Sequence, residues 1–354
     1  MPTLAEQIAI PEISLRHLSS LTDSIGLLQH AIYKLPRFEL GYTTDDNCRG
    51  LLVAAKHYTL FSEPEGERLS RRYLSFLHWV QKQNGQFHNE VSIDRHFSDM
   101  VGSEDCQCRT FWTLTATLNT ALPRHLKLVI KEMMTKFFPT FYSYSYPRPI
   151  AFLLHGLEEL EKQKKFAPLN LDIATTAQIL GQKLVSFYQE NKSPGWYWFE
   201  KIMTWGNALL PSSLFIAYRL TGEKVFLDIA IESFDFMNEQ VFDQQQIFQP
   251  IGNQGWFPQN EEKARFDQQP IEAMWMAIAG KEAFETISNP RYLDQARSAV
   301  KWFLGENCHQ FPLYHPKDGS CADGITPGGI NHNRGAESTL ACLYSLLLAK
   351  ERKF

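Results

Sequence analysis

Two kinds of helical segment alternate along the chain. The first is amphipathic: residues 12–33, 66–83, 122–138, 170–190, 224–242 and 289–306 place apolar residues at helical spacing with charge between them. In the second of these, Leu74, Leu77 and Val80 fall along one side, and Arg71 and Lys82 lie off it. Such a helix leans one stripe on a core and turns the other face to water. The second kind is apolar nearly all round: GLLVAAKHYTLF after Arg49, TFWTLTATLNTAL after Arg109 and PIAFLLHGLEEL after Arg148. NALLPSSLFIAYRL after Gly206, IEAMWMAIAGKEAF after Pro270 and ESTLACLYSLLLA after Ala336 complete the set. A helix apolar on every face either spans a membrane or is surrounded by protein. These runs fall short of the ~18 uninterrupted residues of a span, so they are internal and no membrane partner is expected.

Outer and inner segments alternate six times, which is the mark of a helical-hairpin array. If the array closes, six inner helices form a barrel wall and six outer ones clad it, an all-α (α/α)6 toroid. That architecture uses residues 1–354 as one domain, with 1–11 as an N-terminal extension. An open solenoid is the other possibility, though its repeats would resemble one another more than these do.

In a closed toroid every outer-to-inner loop lies at one end, where each inner helix begins. Those mouths read Asp45-Asp46-Asn47-Cys48-Arg49, then Glu104-Asp105 with Arg109, then Ser145-Tyr146-Pro147-Arg148 leading to His155. Next come Trp196-Tyr197-Trp198-Phe199-Glu200 ahead of Asn207, then Asp267-Gln268-Gln269-Pro270-Ile271-Glu272, and finally His332-Asn333-Arg334 with Glu337. Asp45 or Asp267 alone would be explained as a helix cap, worth about 0.5–2 kcal/mol. Capping needs one acid per helix, however, and Asp45-Asp46 and Glu104-Asp105 are doubled. Glu272 and Glu337 stand in otherwise apolar helices, where an unpaired carboxylate is costly. A shared acidic cavity is therefore expected, with Asp45 serving the helix and Asp46 the ligand. Arg49, Arg109 and Arg334 either neutralise these acids or grip an anionic group of the ligand.

Aromatic residues make up 13% of the chain, and several crowd the same loops. Trp196, Trp198 and Trp256 are expected to stack on a sugar ring, whereas Trp112 and Trp275 on inner helices read as core. Loop 84–99 adds His88, Asp94 and His96, and loop 307–333 adds His315, Asp318, Asp323 and His332. Loops this long in a compact domain are commonly lids or binding loops. The net charge of −4 and the lack of a basic block argue against a nucleic-acid partner. Six scattered cysteines without metal-ligand spacing read as free thiols, and the N-terminal residues lack a signal-peptide pattern, so a cytoplasmic location is expected.

Several carboxylates in an aromatic-lined cavity are the equipment of glycoside chemistry: one protonates the leaving oxygen, and another activates water or stabilises the oxocarbenium-like transition state. The leading expectation is a glycoside hydrolase, or a phosphorylase, acting on an oligosaccharide or glycoconjugate. Its essential pair would be Glu337 with Glu104 or Asp105, and Asp45 and Asp46 would hold hydroxyls or act as base. A sugar epimerase or isomerase of the same fold is the alternative, with His88, His155 and His332 moving protons beside a carbonyl. A non-catalytic glycan-binding partner of a glycosyltransferase is the third reading. The chain has no GxSxG, Walker or HExxH motif, and no cofactor or metal is expected.

The segments TTDDNCRG, FHN followed by DR, GSEDCQCRTFW, DQQPIEA and NRGAESTLACLYSLL also resemble those of a bacterial six-hairpin glycosidase-like family, often encoded beside or fused to glycosyltransferases. The resemblance runs from about residue 40 to 349, with the motifs in order. It implies an (α/α)6 barrel, a carbohydrate-active role and a possible glycosyltransferase partner. It carries over Asp45, Asp46, Arg49, Glu104, Asp105, Arg109, Gln269, Glu272, Arg334 and Glu337 as matching polar positions. Cys108, where the pattern has a small residue, and Asn89-Glu90, where an apolar residue is usual, depart from it.

Overall fold

A computed structural model describes residues 8–137, 144, 146–163 and 171–352. Ser145 and residues 1–7 of the expected extension lie outside that range. The inner helices are α2 (Thr44–Phe61), α4 (Glu104–Leu118), α6 (Pro147–Glu161), α8 (Leu209–Thr221), α10 (Pro270–Ile287) and α12 (Ala336–Arg352). Each packs on the next, and α12 packs on α2, so the ring closes as an (α/α)6 toroid. The outer helices α3 (Pro64–Val80), α5 (Arg124–Phe137), α7 (Ile173–Asn191), α9 (Lys224–Val241) and α11 (Pro290–Phe303) each lie against the inner helix before them.

The two sequence patterns correspond to two burial patterns. α10 is buried without a break from Pro270 to Ala283, whereas α3 buries Leu69, Tyr73, Leu74, Leu77 and Val80 and exposes Arg71. The inner helices α2, α8 and α10 pass to their outer partners by tight turns. Gly222 ends α8 at φ 77°, a left-handed backbone that glycine adopts without steric penalty. Outer helices return by long loops pinned by short antiparallel pairs, such as Tyr42–Thr43 with Glu90–Val91 and Gly324–Thr326 with Gly329–Asn331. The barrel axis is filled by Trp112, Phe152, His155, Trp275 and Tyr344 in mutual ring contact. Among the described residues no helix is long and apolar enough to cross a membrane.

The expected outer helix over 12–33 is the one element that fails. Only Arg16–Ser20 is helical (α1). Asp23 Oδ1 then accepts the backbone N–H groups of Ile25 and Gly26, closing a turn that ends the helix. A Cβ on Gly26 would come within 2.8 Å of Asn47 Oδ1 and 2.9 Å of Phe76, so glycine is needed where the chain crosses the first mouth. Beyond that turn the chain runs extended, pairing Leu28 with Tyr42.

Candidate active site

The inner-helix N-termini share one belt of paired charges. Arg49, buried on α2, holds Asp46 at 3.0 Å and reaches across to Glu337 of α12 at 2.9 Å. Asp45 points the other way, its Oδ1 lying 2.5 Å from Arg109 Nη1 of α4 in an ion pair not aligned as a hydrogen bond. The Arg109 guanidinium lies over the Phe152 and Trp205 rings, at 4.9 and 5.6 Å. Arg148 of α6 grips both oxygens of Glu200, at 3.0 and 2.9 Å. Glu272 of α10 accepts from the Gly206 and Asn207 backbone N–H groups and from the Asn207 amide. Arg49, Arg109 and Arg148 thus each face a carboxylate in this belt.

Thr43, not Asp45, caps α2: its hydroxyl accepts from Asp46 N–H and donates to the Asp46 carboxylate. The capping role expected of Asp45 is therefore corrected. Asp46 is the buried one, tied to Arg49 and Thr43, and Asp45 is partly exposed beside Arg109. Burial pushes the Asp46 carboxyl above the usual range, with Arg49 opposing. Burial does the same to Asp105, against Arg109, and Asp105 Oδ1 has no hydrogen-bond partner among the described residues. Glu104 accepts from Tyr146 N–H at 3.3 Å.

Beside the Asp46–Arg49–Glu337 triad opens a polar cavity of about 400 Å³. Its lining includes Asp45, Gln269, Asp323, Ser338 and the loop residues Gln29 and His30. Asp323 accepts from Gly335 N–H at 2.7 Å, and burial raises its carboxyl. The sequence pattern missed His30 because it falls inside the stretch read as a helix. The Asp23-Ser24-Ile25-Gly26 turn was the available signal.

Other expected residues stand elsewhere. Trp196 and Trp198 are buried, not stacking platforms: Trp196 donates to Glu200 O and packs on Phe236 and Phe257, and Trp198 packs on Phe199. His155 lies a turn and more below the mouth, bonded to Ser212 at 2.8 Å, and burial pushes its pKa down to about 3. Asp94 pairs with His96 on an exposed turn. His88 bonds Asp99 and stacks on Phe97, ordering the 84–101 loop. Arg334 turns from the cavity toward Leu313 O, and its own carbonyl lies 2.8 Å from His17 Nε2. His332 is exposed on the last loop, Trp256 is half-buried, and Asp267 accepts from Gln254 at 2.9 Å; none of the three lines the cavity. His315 pairs with Asp318, and no trio of His, Cys, Asp or Glu among the described residues is placed to hold a metal.

No protein-family model matches the chain, and no curated protein does. Solved structures of similar fold do. A cellobiose 2-epimerase from Bacillus thermoamylovorans superposes with a TM-score of 0.72 at 10% identity, over 96% of both chains. A D-mannose isomerase does so at 0.67 and 10%, over 95% of this chain and 96% of its own. A GH76 α-mannanase from Bacteroides thetaiotaomicron reaches 0.61 at 11%, over 88% and 87%. At these identities the likeness is one of fold.

Proposed function

We propose that the protein is a carbohydrate-active enzyme that moves protons on a sugar held in the mouth cavity, by isomerisation or epimerisation beside the carbonyl of a reducing sugar. This ranks the second of the sequence-level readings above hydrolysis. The observation that carries it is the end-to-end correspondence with the epimerase and the isomerase, which the α-mannanase matches over less of its length and with a lower TM-score. The cavity has the groups such a reaction requires. Removing a proton next to a carbonyl places negative charge on the carbonyl oxygen, and a fixed cation at that oxygen lowers the barrier. Arg49 is such a cation, held in place by Asp46. Glu337, with its side chain 44% exposed, and His30 stand on the cavity wall as base and acid. The proton taken from C2 returns to C2 on the opposite face in epimerisation, or to C1 in isomerisation.

Hydrolysis keeps one observation in its favour, the buried Asp105 carboxyl with an oxygen unpartnered among the described residues, which suits a general acid. One experiment separates the two. Mono- and disaccharides are incubated with the protein in deuterated water, and oligosaccharides with and without phosphate are run in parallel. Deuterium at C2, lost in Glu337→Gln and in His30→Ala but kept in Asp105→Asn, is the expected result. New reducing ends without exchange, abolished by Asp105→Asn, would overturn it in favour of hydrolysis.

A further inference from the structure

At the opposite end of the ring, among the C-terminal turns of the inner helices, lies a second cavity of about 300 Å³. Trp112 and His155 form part of its floor, and Tyr344 of α12 forms part of its wall. The charges around it are paired. Lys56 pairs with Glu351 at 2.7 Å, Lys162 with Glu159 at 2.8 Å, and Lys281 with Glu282 at 2.7 Å. Glu158 pairs with Arg219 and Arg352 with Glu285, both partners from outside the lining, so the lining itself carries four cations and four carboxylates. The lining has no net charge to offer an anion or a cation.

Three polar groups on this cavity have no hydrogen-bond partner among the described residues. The Tyr344 hydroxyl, amid Glu159, Glu282 and Glu351, is one, and the Trp112 indole N–H is another. The third is a nitrogen of His155, a residue only 4% exposed. Ser212 donates its hydroxyl proton to Leu209 O at 2.9 Å, so His155 Nε2, 2.8 Å from that hydroxyl, is the donor between them. Nδ1 is left as an acceptor on a residue that lines the cavity. Trp112 and His155 are residues more than nine-tenths buried, where polar groups are nearly always paired in native proteins, and with the half-buried Tyr344 they leave two donors and an acceptor around one aromatic-floored space, which suits a partner that brings its own hydroxyls.

We infer that this cavity is a second ligand site, for a small neutral polyhydroxylated molecule of the size of one pyranose ring. The aromatic floor packs on the apolar C–H edge of such a ring. The Tyr344 and Trp112 donors and the His155 acceptor take its hydroxyls, and the matched ion pairs reject a phosphorylated or acidic sugar. The site does not rest on the chemistry of the mouth.

The test is saturation-transfer NMR and calorimetric titration of the full chain with D-mannose, D-glucose and inorganic phosphate. Ala116→Phe fills the cavity from α4, Tyr344→Phe removes one oxygen, and Glu337→Gln alters only the mouth. A monosaccharide should bind wild type and Glu337→Gln alike at this site, about tenfold more weakly in Tyr344→Phe and not in Ala116→Phe, and phosphate should not bind it. Circular dichroism establishes that the variants fold, and if Ala116→Phe does not, Tyr344→Phe decides. Monosaccharide binding that is absent, unchanged in Tyr344→Phe, or abolished by Glu337→Gln would leave an aqueous cavity only and overturn the assignment. Deuterium exchange at C2 reads the mouth separately, so either idea can fail alone.

Discussion

Glu272 is 6% exposed, and burial lifts its pKa from 4.5 to about 7 even though Gly206 and Asn207 donate to its carboxylate. An acid raised in the folded state favours the fold while it is protonated. Below 4.5 both states hold the proton, and between 4.5 and about 7 the unfolded chain alone releases it. Above about 7 both are ionised. This group therefore lowers the unfolding free energy as pH rises through that window, and its effect then levels off. The interval from 4.5 to about 7 is about 2.5 pH units, and at ~1.36 kcal/mol for each the carboxyl withdraws about 3 kcal/mol. Glu272→Gln keeps the shape of the protonated acid and cannot titrate. Urea unfolding of both proteins from pH 4.5 to 8.5 should show their stability difference moving by ~2–3 kcal/mol in favour of the variant. The slope is the test, because packing offsets cancel in it. A difference that stays flat with pH would refute the reasoning and show that the three donors outweigh burial.

Three further outcomes follow from the same geometry. Arg49→Met leaves the buried Asp46 carboxylate with the Thr43 hydroxyl as its remaining partner, and losing one member of a buried pair costs about 3–5 kcal/mol. Adding Asp46→Asn should restore most of that in denaturant unfolding, and equal losses in single and double variants would assign the effect to packing. His155, depressed to about 3, should keep constant ring NMR shifts from pH 5 to 8. Since its unfolded counterpart protonates near 6.5, it contributes stability that is lost as pH falls below 6.5; a ring titrating near that value would contradict its burial. A thiol reagent should label half-buried Cys308 in the native protein and the five buried cysteines only on unfolding; fast labelling of more than one would conflict with the ring as packed.

The ring was legible because its two helix populations differ in kind. α3 is striped and α10 is apolar throughout, and this contrast separates outer from inner before any contact is known. The mouth acids were legible for the same reason, since Glu272 and Glu337 interrupt apolar helices. Depth was not. Nothing local distinguishes His155, buried midway along α6, from a histidine at the mouth, and Trp196 and Trp198 have the composition of a platform although the loop folds them onto Phe236 and Phe199. Those outcomes depend on which surface a loop meets, a tertiary matter. The 12–33 stretch has helical periodicity, but the Asx turn at Asp23 and the close approach of Gly26 to Asn47 override it. That override places His30 on the cavity.

The bridge from Glu337 to Arg49 joins the last inner helix to the first. The cavity wall beside it is therefore a seam, made of residues synthesised at widely separated times. A leading portion of the chain without α12 lacks one wall of the pocket, which is complete only when α12 is docked. Binding at the mouth would thus report ring closure itself, and a ligand held across the seam would act as a clasp that slows its reopening.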